Sequence, residues 1–442
     1  MLLRTSQFSG IRYSVFGFMA VICLAGAATQ QPGSLVFPPY GHSYGIRKAT
    51  PKYLFMFFGP ATQFDNPQGL ATAKMKSRDD PTTEKDDDEV VVYGVNAGRH
   101  QLIYNTTMWT LALYGAKGGG KDQFFHPRGI ATNADGDVFV ADSGNNRVVR
   151  LFNPKREVEW IAAWTGKGAD DAGLNGPSQV GVTSDKRIYV TDTGNRRIVA
   201  FDMNGHIIVR IPAHADFAFE NGPVTLAVAD GRDRWSYFSD ERFIVCADRS
   251  GRRLWKITLD GVVLKTVDLP PGCRAGYAAV DFYHNIWVTV QDRHCMLKYD
   301  HALALLDRFG SYGTGDNQFV EPRGITIWKR YGQTFVAEKT GAQYYWTGTS
   351  LASQSLTKEN NGRYDLHLVL SEYSYISMFR AAGKHDTAWI MRKRFVYPGG
   401  ASEDIEDRRG LIGMPGAAVM LRFEPTYSSH TYYWWDAPVM GK

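Results

Sequence analysis

Between residues 50 and 350, apolar and polar positions alternate in short bursts and show no sustained helical spacing. Runs of β-branched and aromatic residues end at Gly, Asn, Asp or Pro, the pattern of strands joined by tight turns. The bursts themselves recur. PRGIATNADGDVFVADSGNNRVVRLFN (127–153) and PSQVGVTSDKRIYVTDTGNRRIVAFDMNG (177–205) share one order: Pro, apolar strand, turn, apolar strand ending in Asp, Gly-Asn turn, then Arg and a third strand. Looser copies begin at Pro67, Pro223, Arg274 and Pro322, at intervals of 46 to 60 residues. A fixed period of this length marks an array of equivalent units, each too small to bury its own face alone.

Each of the first five units carries a fourth apolar strand: Trp109–Tyr114, Glu159–Trp164, His206–Ile211, Val262–Val267 and Ala304–Phe309. The sixth has no obvious fourth after Trp346. A strand-like run stands unpaired before the first unit instead, Tyr53–Phe58 (YLFMFF). It is followed by Gly59, Gln63-Phe64 and Pro67-Gln68-Gly69, the spacing also seen after Tyr114 and Phe309. A spare strand at one end and a vacancy at the other predict a closed ring, which leaves no open end to the array. The expected fold class is therefore all-β: a six-bladed β-propeller over 50–350, closed by an N-terminal strand. Entry prolines suit positions that donate no ladder hydrogen bond. Gly69, Gly129 and Gly324 let innermost strands crowd the axis.

These residues resemble the NHL-repeat family, most closely in DVFVADSGNNRVVRLF and RIYVTDTGNRRIVAFD. The resemblance covers about 50–350 and implies the six-bladed propeller that the strand count gives independently. From about 360 the pattern changes to short strands near Tyr364–Leu370, Tyr375–Arg380, Trp389–Val396 and Ala417–Phe423, a small β-sandwich-like module over 360–442. Its FRAAGKH, YPGG and GAAVMLRFEP segments are similar to Ig-like modules that end many secreted bacterial proteins. The aromatic tail TYYWWD (431–436) either packs on the propeller or stays exposed.

Residues 1–28 read as an export signal: Arg4 and Arg12, an apolar stretch Val15–Leu24, then Ala25-Gly26-Ala27. The apolar stretch is short for a membrane span. This predicts a secreted protein, extracellular or periplasmic, and not an integral membrane protein. Cys246, Cys273 and Cys295 follow the leader; Cys246 takes a Val position of the repeat, and Cys273 and Cys295 either pair or stay free. The chain of 442 residues has a formal charge of +5, two units of it in the leader, too small a surplus to point to nucleic acid. The sequon Asn105-Thr106-Thr107 is a glycosylation candidate, and Asp86–Glu89 a solvated turn tip.

Asp142/Arg147, Asp192/Arg197 and Asp248/Arg253 recur at one spacing and are expected to brace hairpins, with Asn145 and Gly194 taking left-handed turn positions. The fifth and sixth units depart, with Val290/Cys295 and Glu338/Gln343. Positions beside the entry prolines vary on this constant frame, where recognition is usually written. Gln68, His126, Arg128, Ser178, Glu321 and Arg323 are the candidate ligand-binding residues at one channel mouth. Arg128 and Arg323 suit a carboxylate, sulfate or phosphate, or else pair with neighbours such as Glu321.

Peptide-amidating lyases, which resemble NHL proteins, carry zinc-binding His beside the entry Pro; no His follows it here. Lactonase-type propellers hold a metal with Glu, Asn and Asp along the channel, where this chain offers only Asn133 and Asp281. No catalytic, metal or cofactor residues are therefore assigned. The reading is an exported binding or scaffold protein presenting its channel mouth to a protein, peptide or glycan; the alternative is a metal-assisted hydrolase or lyase. On the first reading, Arg128→Ala with Arg323→Ala weakens ligand binding, measured by titration, with little loss of thermal stability.

Overall fold

The computed structural model describes residues 33–37, 47–78, 90–107, 110–168, 171–212, 219–381, 387–416, 418–428 and 433–439. The export-signal region and the Asp86–Glu89 run lie outside them. Within them, six antiparallel sheets span 67–114, 127–164, 177–212, 223–268, 278–309 and 325–347. The first strands of successive sheets adjoin in cyclic order, the sixth against the first. The chain is a β-propeller. Each sheet pairs its strands in sequence order, so one face of the ring carries the entry prolines and second-to-third hairpins. The other face carries the first-to-second loops.

The glycines explain how six sheets fit round one axis. A Cβ on Gly69 would lie 2.7 Å from the Arg128 carbonyl oxygen, and one on Gly129 2.6 Å from the Gln179 Cα. Neighbouring inner strands are in backbone contact there, which only Gly permits.

Ring closure occurs, but through a different segment from the one expected. The fourth place in the sixth blade is filled by Lys48–Ala49 and Leu35–Val36, both antiparallel to Gly341–Thr347. Tyr344 N–H donates to the Arg47 carbonyl at 2.8 Å. Tyr53–Phe58 is not a strand: Pro51–Phe58 is a helix with Thr50 as N-cap, Pro51 at its first position and Gly59 ending it at φ 55°. Thr-Pro at the start and Gly at the end are strong helix boundaries, and they outweigh the strand-like composition between them. Only Leu54 of this helix is buried; Phe55 and Met56 face outward.

The Asp/Arg pairs are structural. Asp142 and Asp192 are fully buried. Asp142 accepts from Phe125 N–H, the Asn145 amide and Arg147 Nε; Asp192 accepts from Asn175 N–H, Asn195 and Arg197 Nε, all at 2.7–2.8 Å. Each acid thus ties the stretch two residues before its entry Pro to the end of its second strand. Glu338 does the same for Val320 N–H with Gln343 in place of Arg, and Asn96 for Asp65 N–H. The fourth blade breaks the pattern: Arg253 pairs with Asp268, and Asp248 caps Ser250. The left-handed residues are one or two places beyond those expected. They are His100, Asn146, Arg196 and His294, at φ 51–57°.

The C-terminal module stacks a three-stranded sheet (351–358, 364–370, 399–405) on a four-stranded one (387–396, 374–381, 419–425, 435–438). Its core includes Leu366, Ile376, Phe423 and Trp435, and continues into Tyr344 and Trp346 of the sixth blade. Of the aromatic tail, Tyr433 and Trp435 fill this core while Trp434 is exposed under the Arg422 guanidinium. A second seam joins the module to the fifth blade. Lys298 and Glu372, both wholly buried, pair at 2.5 Å, and Asn285 also donates to Glu372. Burial drives the Glu372 carboxyl up to about 7, against the pull of Lys298. Tyr283 stacks on Tyr373 at 3.9 Å between centroids. Cys246, Cys273 and Cys295 are buried free thiols. The Asn105 amide is occupied within the first blade, donating to Val90 O and accepting from Val92 N–H, so it is not presented for glycosylation.

Two stability predictions follow from these pairs. Asp192→Ala leaves the Asn175 amide and Arg197 Nε without their acceptor, while Asp171 still pairs with the guanidinium, and is expected to cost about 1–3 kcal/mol, whereas Asp268→Ala, at an exposed pair, leaves the denaturation midpoint unchanged; chemical denaturation of both variants checks this. Lys298→Met alone leaves a buried carboxyl without its counter-charge and costs about 3–5 kcal/mol, while Lys298→Met with Glu372→Leu recovers more than half of that loss.

Candidate functional site

The first strands supply the channel wall, and their two ends differ sharply. At the entry-proline end a single side chain spans the channel. Tyr277, just ahead of the fifth blade's first strand, reaches across the axis. Its hydroxyl donates to Gln68 Oε1 of the first blade at 2.6 Å, and Gln179 of the third blade lies beside it. Burial pushes the Tyr277 phenol up to about 12, against the opposing pull of Arg128, Gln179 and Arg323. It therefore stays a neutral plug across the physiological range.

Several of the sequence-predicted residues surround this plug. Gln68 also donates to Asn66 at 2.8 Å. Arg323 is buried and tied to the Pro67 carbonyl at 3.1 Å, to Asn66 and to Glu321 at 3.3 Å, so it welds the sixth blade to the first. Glu321 further accepts from Lys339 at 2.7 Å, and this hydrogen bond chiefly holds its carboxyl below the ordinary range. Ser178 is enclosed, its hydroxyl between Thr191 and Thr193 at 2.8 and 2.9 Å. His126 and Arg128 are exposed. His126 and Glu321 each give a backbone N–H to the Nδ1 of a left-handed hairpin His, His100 and His294, at 3.0 Å. The structure thus gathers Gln68, Arg323 and Glu321 into one network at the Tyr277 end.

At the opposite end the channel widens into a funnel of about 500 Å³, walled by the first strands and rimmed by the first-to-second loops. Its walls carry small and neutral groups, among them Thr72 and Thr326, whose hydroxyls meet at 3.1 Å. The charged residues lining the funnel are seven cations and three acids. Asp135 is shared by Lys76 and Lys186 at 2.7 and 3.0 Å, and Asp233 pairs with Lys329 at 3.1 Å. The guanidinium groups of Arg234 and Arg330 each lie over the Trp235 ring, 4.9 Å from its centroid. Sequence reasoning did not find this mouth, because its cations come from loops outside the repeated motif. A larger, shallower cleft of about 970 Å³ between the fourth and fifth blades balances four arginines with four acids, and so lacks the funnel's charge bias.

Asn133 and Asp281, the oxygen donors noted on the inner strands, are spent on turns. Asn133 accepts from Asp135 and Asp137 N–H; Asp281 accepts from Tyr283 and Asn285 N–H and from Trp287 Nε1. Among the described residues no group of three His, Cys, Asp or Glu side chains converges as a metal would require, and no helix is long and apolar enough to cross a membrane.

An NHL-repeat family model matches residues 124–151, the end of the first connector and most of the second blade's first three strands. No curated protein sequence matches the chain. Among solved structures, a streptogramin B lyase aligns over 65% of this chain and 95% of its own, at 15% identity and a TM-score of 0.43. A gluconolactonase from Xanthomonas campestris aligns over 73% and 98%, at 13% identity and a TM-score of 0.45. A calcium-binding regucalcin from Agrobacterium tumefaciens aligns over 65% and 92%, at 10% identity and a TM-score of 0.43. The chain is thus a β-propeller with a recognisable NHL repeat in its second blade.

Proposed function

We propose that this protein is an exported binding protein whose axial funnel receives the anionic part of a peptide or glycan partner. The observation that carries the reading is the asymmetry of the channel: one end plugged by Tyr277, the other open, with a cationic rim around an aromatic ring. A low-dielectric funnel lined mostly by one sign of charge concentrates ligands of the other sign. Guanidinium groups held against Trp235 are set to engage carboxylate or sulfate. Export rests on the leader-like residues 1–28. The C-terminal sandwich, fixed to the fifth and sixth blades, gives the propeller a rigid orientation towards whatever it is attached to.

This moves the expected contact surface from the entry-proline mouth to the opposite one. Arg323 becomes a structural residue, and its replacement by Ala is expected to lower stability. For binding, tryptophan fluorescence titration with poly-glutamate and with a heparin oligosaccharide is the test. Lys329→Glu with Arg330→Glu should weaken the tighter of the two by at least tenfold, and added salt should weaken it further. Arg128→Ala should leave it unchanged. Equal affinity in the rim variant, or loss in Arg128→Ala alone, would return the site to the other mouth.

A further inference from the structure

One cluster near the funnel is not explained by the scaffold. The loop between the first two strands of the fourth blade runs for eleven residues, 231–241, where the corresponding loops of the second and third blades have four and five, 133–136 and 183–187. The extra length carries Ser236 and Glu241 to His284, in the matching turn of the fifth blade. Ser236 Oγ lies 2.6 Å from His284 Nε2, and His284 Nδ1 lies 3.0 Å from Glu241 Oε2. The order is hydroxyl, imidazole, carboxylate, with the two ring nitrogens divided between them. The carboxylate accepts a hydrogen, which places the proton on Nδ1 and leaves Nε2 free to take the serine proton.

The surroundings fix this arrangement. His284 is wholly buried, with Phe238 and Phe243 each 5.7 Å from its ring. Glu241 also accepts from His301 Nδ1 at 3.1 Å and from Lys256 Nζ at 2.9 Å. Burial alone would raise the Glu241 carboxyl, but the bonds from His284, His301 and Lys256 outweigh it and hold the group well below the carboxylate range. The turn that carries His284 does not need its ring: Asp281 already caps that turn through Tyr283 and Asn285 N–H. Ser236 is half-buried and directly follows Trp235 of the funnel rim, so its backbone adjoins the open mouth while its hydroxyl turns to His284.

We propose that Ser236, His284 and Glu241 form a nucleophilic relay that hydrolyses carboxylic esters. Ser236 Oγ attacks the ester carbonyl carbon and its proton passes to His284 Nε2. Collapse breaks the bond to the alkoxy oxygen, which leaves as the alcohol with that proton. Water, deprotonated by His284, then cleaves the acyl-serine to the carboxylic acid, and the serine regains its proton. Glu241 holds the imidazole in the required tautomer and stabilises its cation. The reaction consumes only ester and water, and it does not depend on what the funnel binds.

The full-length protein is treated with a fluorophosphonate probe and, separately, with p-nitrophenyl acetate. The expected result is a single covalent adduct mapped by peptide mass spectrometry to Ser236, and ester turnover that falls roughly 100-fold or more in Ser236→Ala and in His284→Gln. Glu241→Gln should slow labelling while leaving the adduct at the same residue. Thermal melts establish that the variants are folded; if one is not, the adduct site on the unmodified protein decides. No adduct on the folded wild-type chain, an adduct elsewhere, or turnover that persists in Ser236→Ala would overturn the assignment.

Discussion

A propeller is a linear chain made to act as a ring, and its weakest joint is where the last sheet meets the first. Here two short N-terminal pieces, Leu35–Val36 and Lys48–Ala49, lie along the outer strand of the sixth blade before the chain turns into the first. The joint is reinforced at both radii. Near the rim, Lys48 Nζ donates to the Thr314 and Gly315 carbonyls at 2.6 Å. Near the axis, Gly324 N–H donates to the Gln68 carbonyl and Arg323 grips Pro67. The bridge from Tyr277 to Gln68 joins the fifth blade to the first and keeps its geometry only while those blades stay in register. The same holds for the funnel rim on the other face, assembled from loops of separate blades.

Much of this was legible in the sequence, for a physical reason. A repeated unit must satisfy the same backbone groups each time, so the Asp that receives the pre-proline amide and the Gly that admits its neighbour recur at fixed spacing. The fourth strands lie within a residue of where the apolar runs put them. What misled was a local conflict. YLFMFF has strand composition, yet Thr50-Pro51 and Gly59 bracket it with helix caps, and the caps prevailed. The strands that do close the ring are two residues each, too short to stand out. In the sixth blade, Glu338 and Gln343 do what Asp and Arg do elsewhere, so chemistry was kept where identity was not.

The candidate sites were less legible, because they depend on departures from the repeat. Residues beside the entry prolines varied as a recognition surface would, but several of them serve closure and the plug. A side chain crossing the axis, as Tyr277 does, has no signature in spacing. The funnel cations and the Ser236–His284–Glu241 cluster come from loops whose lengths differ from blade to blade, and their partners lie 43 and 48 residues apart in the chain. The signal available was the long loop 231–241 itself, rich in Ser, Asp, Arg and aromatics between two well-marked strands. In a repeat protein, an insertion in a single unit is where chemistry can be added without disturbing the ring.

Residue-resolved amide hydrogen exchange on the intact protein tests the closure most directly. The Tyr344 N–H, bonded to Arg47, and the Gly348 N–H, bonded to Ser34, have partners only if the N-terminal pieces lie on the sixth blade. Both are expected to exchange as slowly as the amides of the central strand Cys295–Tyr299. Exchange of both at the rate of an open sheet edge, with the alternate amides of Gly341–Thr347 still protected, would contradict this closure.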